Sequence, residues 1–318
     1  MSTAQGLSPE KAAMLTRRVT MLSVAMASVL VSIKIVAWLS SGSVAMLAST
    51  ADSGLDLVAS LATFYAVRFA MAPPDAEHRY GHGKAEAFAS LVQAGLVFAS
   101  AALVGREAIV DLMHPHALRQ EGWAMAVMAV SIVLTAGLLT AQARVLRQTA
   151  SVAVSGDRMH YALDLASNVV ALIGIGLSAW LGLNWLDALA ALLIAALLLW
   201  GAVGVFREAS GQLMDHELPD EARNRIIELL IQDPRLTDVH QLRTRASGPF
   251  VHMQMHVDLD PHLTLEAAHE VIVAAEKRVL EAFPQADIII HADPRGRAEP
   301  HGGAFAEIHP QQSKAAAS

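Results

Sequence analysis

Long apolar runs dominate this chain and constrain its fold more strongly than any other feature. An α-helix needs about 20 mostly apolar residues to cross the ~30 Å hydrocarbon core of a bilayer. Runs long enough to do so cover residues 15–39, 43–71, 85–113, 122–146, 152–181 and 184–206. The pattern predicts an all-α transmembrane domain of six helices over residues 15–208, preceded by a polar segment of residues 1–14.

Basic residues lie mainly on one side of this predicted topology. They are Arg17, Arg18, Arg68, Arg79, Lys84, Arg144, Arg147, Arg158 and Arg207. Positively charged loops stay in the cytoplasm, so both chain termini are expected to be cytoplasmic. Lys34 lies inside the first run, near its outer end, and its long side chain is expected to extend to the membrane interface.

The net charge and the absence of cysteine limit the partners and the metal ligands that this chain can have. The formal net charge is −7 and no run of lysine or arginine marks a binding arm, which argues against nucleic acid as a partner. The chain has no cysteine, so disulfides, thiol nucleophiles and thiolate metal ligands are excluded. A metal site would have to use histidine, carboxylate or backbone oxygen atoms, and the chain has 14 histidines.

After Arg207 the pattern becomes that of a soluble domain, which we expect to be cytoplasmic and to cover residues 209–293. The segment "FVHMQMHVDLD" alternates apolar and polar residues, as a half-buried strand does. Helix, strand, strand, helix and strand are predicted in turn at residues 219–232, 236–247, 250–260, 263–283 and 286–293. This order favours a ferredoxin-like αββαβ domain with its helices on one face of the sheet. Residues 294–318, with His301 and His309, are rich in Gly, Pro, Ala and Gln and predict a disordered tail.

Two pairs of ionisable residues lie within the apolar runs. Asp52 and Asp56 are four residues apart, and so are His160 and Asp164, so each pair shares one helix face. Each carboxylate costs about 2.5 to 3.5 kcal/mol near the middle of a bilayer, so two on one stripe need a compensating partner. One alternative is a polar stripe that hydrogen-bonds to Ser and Thr of neighbouring helices. The other is a metal site that the two pairs build together.

A site of three carboxylates and one imidazole has a defined metal preference. Such donors favour zinc, cadmium or ferrous iron over magnesium, calcium or manganese. Four protein ligands leave no open position for an activated water, so the site is expected to carry an ion. A membrane-embedded metalloenzyme would need an open position and a nearby glutamate base, and the chain contains no H-E-x-x-H. A metal-gated channel would need a continuous polar stripe, whereas the polar residues here concentrate at one depth.

Two further clusters contain metal-capable side chains. The segment between the second and third runs has Asp75, His78 and His82 within eight residues. The predicted soluble domain supplies a larger set from its strands and its second helix: His240, His256, His269, His291 and Asp293. Histidines at this density can also be ordinary solvated residues, and we expect only that of His114, His116, His216, His252 and His262.

The motifs together resemble the cation diffusion facilitator family. They are "DSGLD" in the second run, "HRYGHGKAE" before the third, "HYALD" in the fifth, and the histidine-bearing α+β domain. The resemblance covers about residues 10–293 and is closest to the bacterial branch that exports zinc and ferrous iron. Ala162 and Leu163 are more apolar than that branch leads one to expect, which affects the ion preference and not the transport role.

The resemblance implies a function and a set of sites. It implies a homodimer in the bacterial inner membrane that exports a divalent metal ion, most simply Zn²⁺ and also Fe²⁺ or Cd²⁺, in exchange for protons by alternating access, without enzymatic activity. The implied transport site is Asp52, Asp56, His160 and Asp164. The implied loop site is Asp75, His78 and His82. The implied regulatory site is binuclear, with His240, His256, His269 and His291 as ligands and Asp293 as the bridge. Lys84 and Asp215 are implied as an interlock at the dimer interface.

Overall fold

The computed structural model describes residues 9–41, 44–113, 122–149, 151–181 and 185–297. Most of the predicted N-terminal segment and of the predicted tail, including His301 and His309, therefore lies outside the described residues. The chain forms two compact units. The helical unit runs from Lys11 to Leu213, and the C-terminal unit contains the chain from Met214 onward.

The described part of the helical unit contains six long helices. They are α1 (Pro9–Ser41), α2 (Val44–Ala70), α3 (Ala85–Met113), α4 (Gly122–Thr149), α5 (Val152–Leu181) and α6 (Trp185–Leu213). Each has 27 residues or more, which is enough to span a bilayer by length.

Four of these helices, among the residues described, are also apolar enough to be membrane spans. These spans are Glu10–Ser40, Ala85–Val110, Ala126–Thr149 and Ala188–Leu213. The other two, α2 and α5, are the helices that carry the predicted metal ligands, and part of the side chains of each lies outside the described residues. Six spans therefore stay a prediction, whereas a membrane unit with at least these four apolar helices is present.

A small apolar core joins three helices of this unit. Val97 of α3, Leu163 of α5 and Leu198 of α6 are each less than a tenth exposed and pack together. Large apolar side chains elsewhere on these helices are exposed, for example Leu103 at 68% and Trp200 at 79%. An outward-facing apolar surface of this kind is expected where lipid replaces water as the solvent.

The C-terminal unit has the predicted element order. It contains α7 (Asp220–Leu230), β1 (Val239–Ser247), β2 (Phe250–Leu259), α8 (Leu265–Ala282) and β3 (Ala286–Pro294). The sheet order is β1-β2-β3, with β1 antiparallel and β3 parallel to β2. The two parallel strands are joined through α8, whose first turn is capped by the Thr264 hydroxyl accepting a hydrogen bond from Ala267 N at 3.2 Å.

The core of this unit follows the alternation in β2. Met253, Met255, Val257 and Leu259 are 3% exposed or less and meet Val271 of α8. The intervening residues of β2 lie on the opposite face of the sheet, because successive side chains of a strand point in opposite directions. That opposite face therefore holds His256 and its neighbours.

Candidate metal centres

The first candidate centre lies between α2 and α5. His160 Nε2 lies 3.0 Å from Asp56 Oδ1 and 3.5 Å from Asp164 Oδ2. His160 and Asp164 share a face of α5 because they are one helical turn apart. The side chains of Asp56 and His160 are 19% and 10% exposed, so the cluster is largely withdrawn from solvent. The Asp52 side chain, the fourth predicted ligand, lies outside the described part of the structure.

A neighbouring hydrogen bond fixes α5 against α2 at this level. Ser60 Oγ and Tyr161 Oη are 2.7 Å apart, and both side chains are buried. Ser60 is one turn beyond Asp56, and Tyr161 directly follows His160, so this bond sets the height at which the two ligand pairs meet. Sequence periodicity predicts the two pairs separately but contains no signal for this contact.

A buried aspartate three residues before His160 joins five helices. Asp157 Oδ1 accepts a hydrogen bond from Gln93 Nε2 at 3.2 Å, and Oδ2 accepts one from Gln142 Nε2 at 2.8 Å. The same amide groups donate to Thr63 Oγ1 at 2.7 Å and to Ser23 Oγ at 3.1 Å. We call these five residues the polar hub; each is 2% exposed or less.

The polar hub explains how α5 can carry polar residues near its N-terminus. By their positions in the apolar runs, His160 lies nearer the inner boundary than the Asp52–Asp56 pair, so the two pairs meet only if α5 begins early and its first turns are covered. In the structure α5 begins at Val152, and Gly156 and Asp157 are buried against protein. The hub was missed by the sequence reasoning, although Gln93 and Gln142 inside otherwise apolar runs are a signal that could have found it.

The second candidate centre is the predicted loop cluster. Asp75 Oδ1 accepts a hydrogen bond from His78 N at 2.6 Å and lies 3.3 Å from His78 Nδ1, while Asp75 Oδ2 lies 3.2 Å from His82 Nε2. The hydrogen bond from His78 N, helped by one from Glu77 N, lowers the pKa of the Asp75 carboxyl against the opposing effect of burial. Asp75 and His78 are about half exposed, whereas the His82 side chain is 4% exposed and contacts the ring of Phe69, with ring centroids 4.4 Å apart.

The third candidate centre lies on the sheet of the C-terminal unit. Strand register aligns His240 of β1 with His256 of β2, and His256 with His291 of β3, so three histidines form one row across the sheet. Asp293 closes the group. Its Oδ2 lies 3.2 Å from His240 Nε2 and 2.8 Å from His256 Nδ1, and its Oδ1 lies 3.3 Å from His291 Nε2.

The charge state of Asp293 follows from these neighbours. Burial by itself would raise the pKa of the Asp293 carboxyl, but the hydrogen bond from His256 and the nearby imidazoles outweigh it, and the pKa is lowered. The carboxylate form is thus favoured, which is the form that binds a metal ion. Beside it, burial is the main reason why the pKa of Asp258 is raised, with Asp238 and Asp293 adding to the effect.

Two further histidines of this unit lie outside the row that Asp293 closes. His269 is exposed on α8 and is not among the donors that gather around Asp293 in the described residues, so its place in the binuclear site stays a prediction. His252, expected to be solvated, is 8% exposed, and its Nδ1 lies 3.1 Å from Asp287 Oδ2. It is buried because β3 runs beside β2 and aligns Asp287 with it.

The proposed interlock residues are each placed within their own unit. Lys84 Nζ donates a hydrogen bond to Leu213 O at 3.3 Å, and Asp215 Oδ2 lies 3.2 Å from Arg245 Nη1. Lys84 belongs to the helical unit and Asp215 to the C-terminal unit. Their pairing at a dimer interface therefore stays a prediction.

Comparison with known proteins assigns both units to one family. The family model described as the cation efflux transmembrane domain matches residues 20–214, and that described as the cation efflux protein cytoplasmic domain matches residues 218–295. The cation-efflux pump FieF of Serratia proteamaculans is 40% identical over 282 residues, which are 89% of this chain and 94% of the relative. The FieF pump of Klebsiella pneumoniae subsp. pneumoniae is 40% identical over 280 residues, 88% of this chain and 93% of the relative.

One solved structure is also similar in sequence to part of the chain. The metal-bound C-terminal domain of the CzcD transporter from Thermotoga maritima is 26% identical, and the match covers 25% of this chain and 93% of that domain, with a TM-score of 0.24. The two family matches and the identity to full-length efflux pumps carry the assignment. The chain therefore belongs to the cation diffusion facilitator family, as a multi-pass membrane protein that exports divalent metal cations and is a transporter rather than an enzyme.

Proposed function

We propose that the chain exports Zn²⁺ in exchange for protons, and that Asp52, Asp56, His160 and Asp164 hold the ion during transport. The observation that carries this proposal is the position of His160 Nε2 beside carboxylate oxygens of Asp56 and Asp164, at 3.0 and 3.5 Å. Tetrahedral zinc with ligand bonds of 2.0 to 2.1 Å places its donor atoms about 3.3 Å apart. The described donors lie at nearly that spacing.

The donor types support zinc as the main cargo. One imidazole among carboxylates suits Zn²⁺, and the same set accepts Fe²⁺ and Cd²⁺, while a hard ion such as Mg²⁺ prefers oxygen donors and retained water. The low exposure of His160 and Asp56 supports a site that holds a dehydrated ion. Direct competition between these ions for the purified protein would rank them.

Proton exchange is supported by the contact between His160 and Asp56. A contact of 3.0 Å between His160 Nε2 and Asp56 Oδ1 requires one proton between the two atoms. A metal ion that takes both atoms as ligands must displace this proton. Loading from the cytoplasm would release the proton inward and unloading would accept one from outside, so an inward proton gradient would drive export by alternating access.

The other two clusters are proposed to regulate transport. The C-terminal cluster of His240, His256, His291 and Asp293, with His269 as a further ligand, would sense metal by drawing two copies of the domain together in a homodimer. Support comes from the row of histidines on one sheet face and from the dimerisation that this domain family implies. The loop cluster of Asp75, His78 and His82 would receive or sense ions near the membrane surface.

Transport in proteoliposomes tests the proposal. Purified protein should move Zn²⁺ and protons in opposite directions. The rate of Zn²⁺ movement should rise when the imposed proton gradient drives protons in the direction opposite to the metal. Asp56→Ala should lose both fluxes while keeping its fold, as judged by gel filtration and circular dichroism. Zn²⁺ flux that ignores an imposed pH gradient would reject antiport, and full flux in Asp56→Ala would reject the site.

A further inference from the structure

Lys34 lies on the buried face of α1. The least exposed residues of this helix recur at helical spacing on one stripe, which Lys34 shares: Thr20, Ser23, Ala27, Leu30 and Ala37. Lys34 lies about two turns before the end of α1 at Ser41. The expected extension of its side chain to the membrane interface is therefore wrong, because the side chain leaves α1 on the side that meets the neighbouring helices.

The ammonium of Lys34 contacts the helix that carries the metal ligands. Lys34 Nζ lies 2.5 Å from Ser53 Oγ and 3.3 Å from Ser49 O, and donates a hydrogen bond to each. Ser53 is 3% exposed, so this contact is inside the helical unit. Ser49, Ser53 and Asp56 follow one another at i, i+4 and i+7 and share one face of α2.

The ammonium of Lys34 thus lies beside Ser53, which precedes Asp56 by about one helical turn on the same face of α2. In a site withdrawn from water, charges at such a distance interact much more strongly than they do in solution. The ammonium attracts the carboxylates of the site and repels a divalent cation that enters it. Such repulsion favours transport, because a metal ion that binds the site too tightly is released too slowly.

We propose that Lys34 is the resident counter-cation of the transport site, a positioning residue that weakens metal binding enough for release. This inference rests on the proposed transport function of Asp56, His160 and Asp164. Lys34 is not itself a metal ligand, since an ammonium has no lone pair to offer. Its effect is electrostatic, and the hydrogen bond to the backbone carbonyl of Ser49 keeps the ammonium beside α2 even without the Ser53 hydroxyl.

Three substitutions separate charge from hydrogen bonding. Lys34→Gln keeps a hydrogen-bond donor and removes the charge, Lys34→Arg keeps both, and Ser53→Ala keeps the charge and removes one acceptor. All are made in a parent that carries alanine at the loop cluster (Asp75, His78 and His82) and at the sheet cluster (His240, His256, His291 and Asp293), so that Zn²⁺ binding reports on the membrane site. Zn²⁺ affinity is measured by equilibrium dialysis in detergent, and turnover is measured in proteoliposomes at saturating Zn²⁺.

The expected result is that Lys34→Gln binds Zn²⁺ about tenfold more tightly than the parent and turns over more slowly. Lys34→Arg and Ser53→Ala should stay within about twofold of the parent affinity. The inference would be overturned if Lys34→Gln had the Zn²⁺ affinity of the parent, or if Ser53→Ala changed that affinity as much as Lys34→Gln does. Lys34 would then have only a structural role, through its hydrogen bond to Ser53. Absence of Zn²⁺ binding to the parent at Asp56 would instead reject the proposed function, which distinguishes the two failures.

A chemical variant keeps the test decisive if Lys34→Gln does not fold. The chain has no cysteine, so Lys34→Cys carries a single thiol. A thiol reagent that adds an aminoethyl group restores the positive charge, and a methylating reagent of similar reactivity adds no charge. The cationic adduct should bind Zn²⁺ more weakly than the neutral adduct, and equal affinities would overturn the inference.

Discussion

At the scale of single residues, the proposed transport site depends on the contact between His160 Nε2 and Asp56 Oδ1. The two atoms are 3.0 Å apart, close enough for a hydrogen bond but also close to the donor spacing of a zinc shell. One set of side chains can therefore hold a proton or a metal ion, but not both. Asp293 does the same on the C-terminal sheet, where it accepts from His256 at 2.8 Å.

The loop cluster is expected to tune transport rather than to perform it. Alanine at Asp75, His78 and His82 should raise the Zn²⁺ concentration needed for half-maximal flux and leave maximal flux largely intact, because the cluster is separate from the α2–α5 ligands. Proteoliposome flux over a range of Zn²⁺ concentrations measures both quantities. Complete loss of flux would place these residues on the obligatory ion path.

An ion pair in the C-terminal unit makes the stability of this unit decrease at acid pH. The hydrogen bond from Arg235, supported by its charge, lowers the pKa of Asp233 to about 2 from an ordinary value of 3.8. Because the pKa of Asp233 is lower in the folded state than in the unfolded state, the ion pair stabilises the fold at a pH above about 4. This stabilisation is lost as the pH falls from about 4 to about 2.

Asp233→Asn should reduce that acid sensitivity. The thermal midpoint of residues 214–297, followed by circular dichroism, should drop less between pH 5 and pH 2.5 in the variant than in the parent. At pH 6 the variant should be the less stable of the two, because it lacks the ion pair. An identical pH dependence in both proteins would contradict the role assigned to Arg235.

At the scale of elements, α5 is held by contacts with its neighbours on several sides. The polar hub fixes it to α1, α2, α3 and α4, and Tyr161 fixes it to α2 again. Hydrogen bonds suit this purpose inside a membrane unit, because apolar packing gains little where lipid is as apolar as the protein. The ligands on α5 are thus positioned by polar contacts outside the ligand set.

Gly156 allows α5 to approach α3 at the hub. A Cβ at this position would lie 2.6 Å from Gln93 Oε1 and 3.3 Å from Ser90 Oγ, whereas a Cβ at Gly95 of α3 would meet nothing within 4 Å. Gly156→Ala should therefore destabilise the helical unit by about 1–3 kcal/mol. Gly95→Ala, the matched control, should change stability by no more than about 0.5 kcal/mol.

Unfolding in detergent measures this difference, and zinc flux shows its consequence. Gly156→Ala should also lower flux, since it displaces Gln93 from Asp157 and shifts the turn that precedes His160. Equal stability of the two glycine variants would mean that α5 can move away from α3 without loss of stability. That result would contradict the close packing of the two helices at Gly156.

At the scale of the whole molecule, the chain forms two compact units, and the family models that match it are the transmembrane and the cytoplasmic domain of one efflux family. If the sheet cluster draws two copies together, Zn²⁺ should increase the dimer fraction of the full-length protein in dilute detergent. Asp293→Asn should require at least about tenfold more Zn²⁺ for the same fraction, because the shared carboxylate is weakened as a ligand.

His262→Ala is the matched control for that experiment. His262 is exposed, lies in the same unit and is not among the clustered donors of the described residues. Its substitution should leave the zinc dependence of dimerisation unchanged. A dimer fraction that does not respond to Zn²⁺ in the parent would reject metal-driven association.

The sequence by itself determined what lies within single elements. Apolar length predicted the membrane unit, the i,i+4 pairs predicted that His160 and Asp164 share a face, and strict alternation predicted which face of β2 is buried. Each of these inferences uses the period of one helix or one strand, and that period is a local property of the chain. The family motifs added the assignment to metal export.

The tertiary structure decided which elements meet and in what register. Only strand pairing aligned His240, His256 and His291 in one row, and only helix packing turned Lys34 toward α2 and gathered the polar hub around Asp157. The physical reason is that contacts between distant segments depend on relative height and rotation. A repeating pattern fixes which face a residue occupies but not which partner stands opposite it.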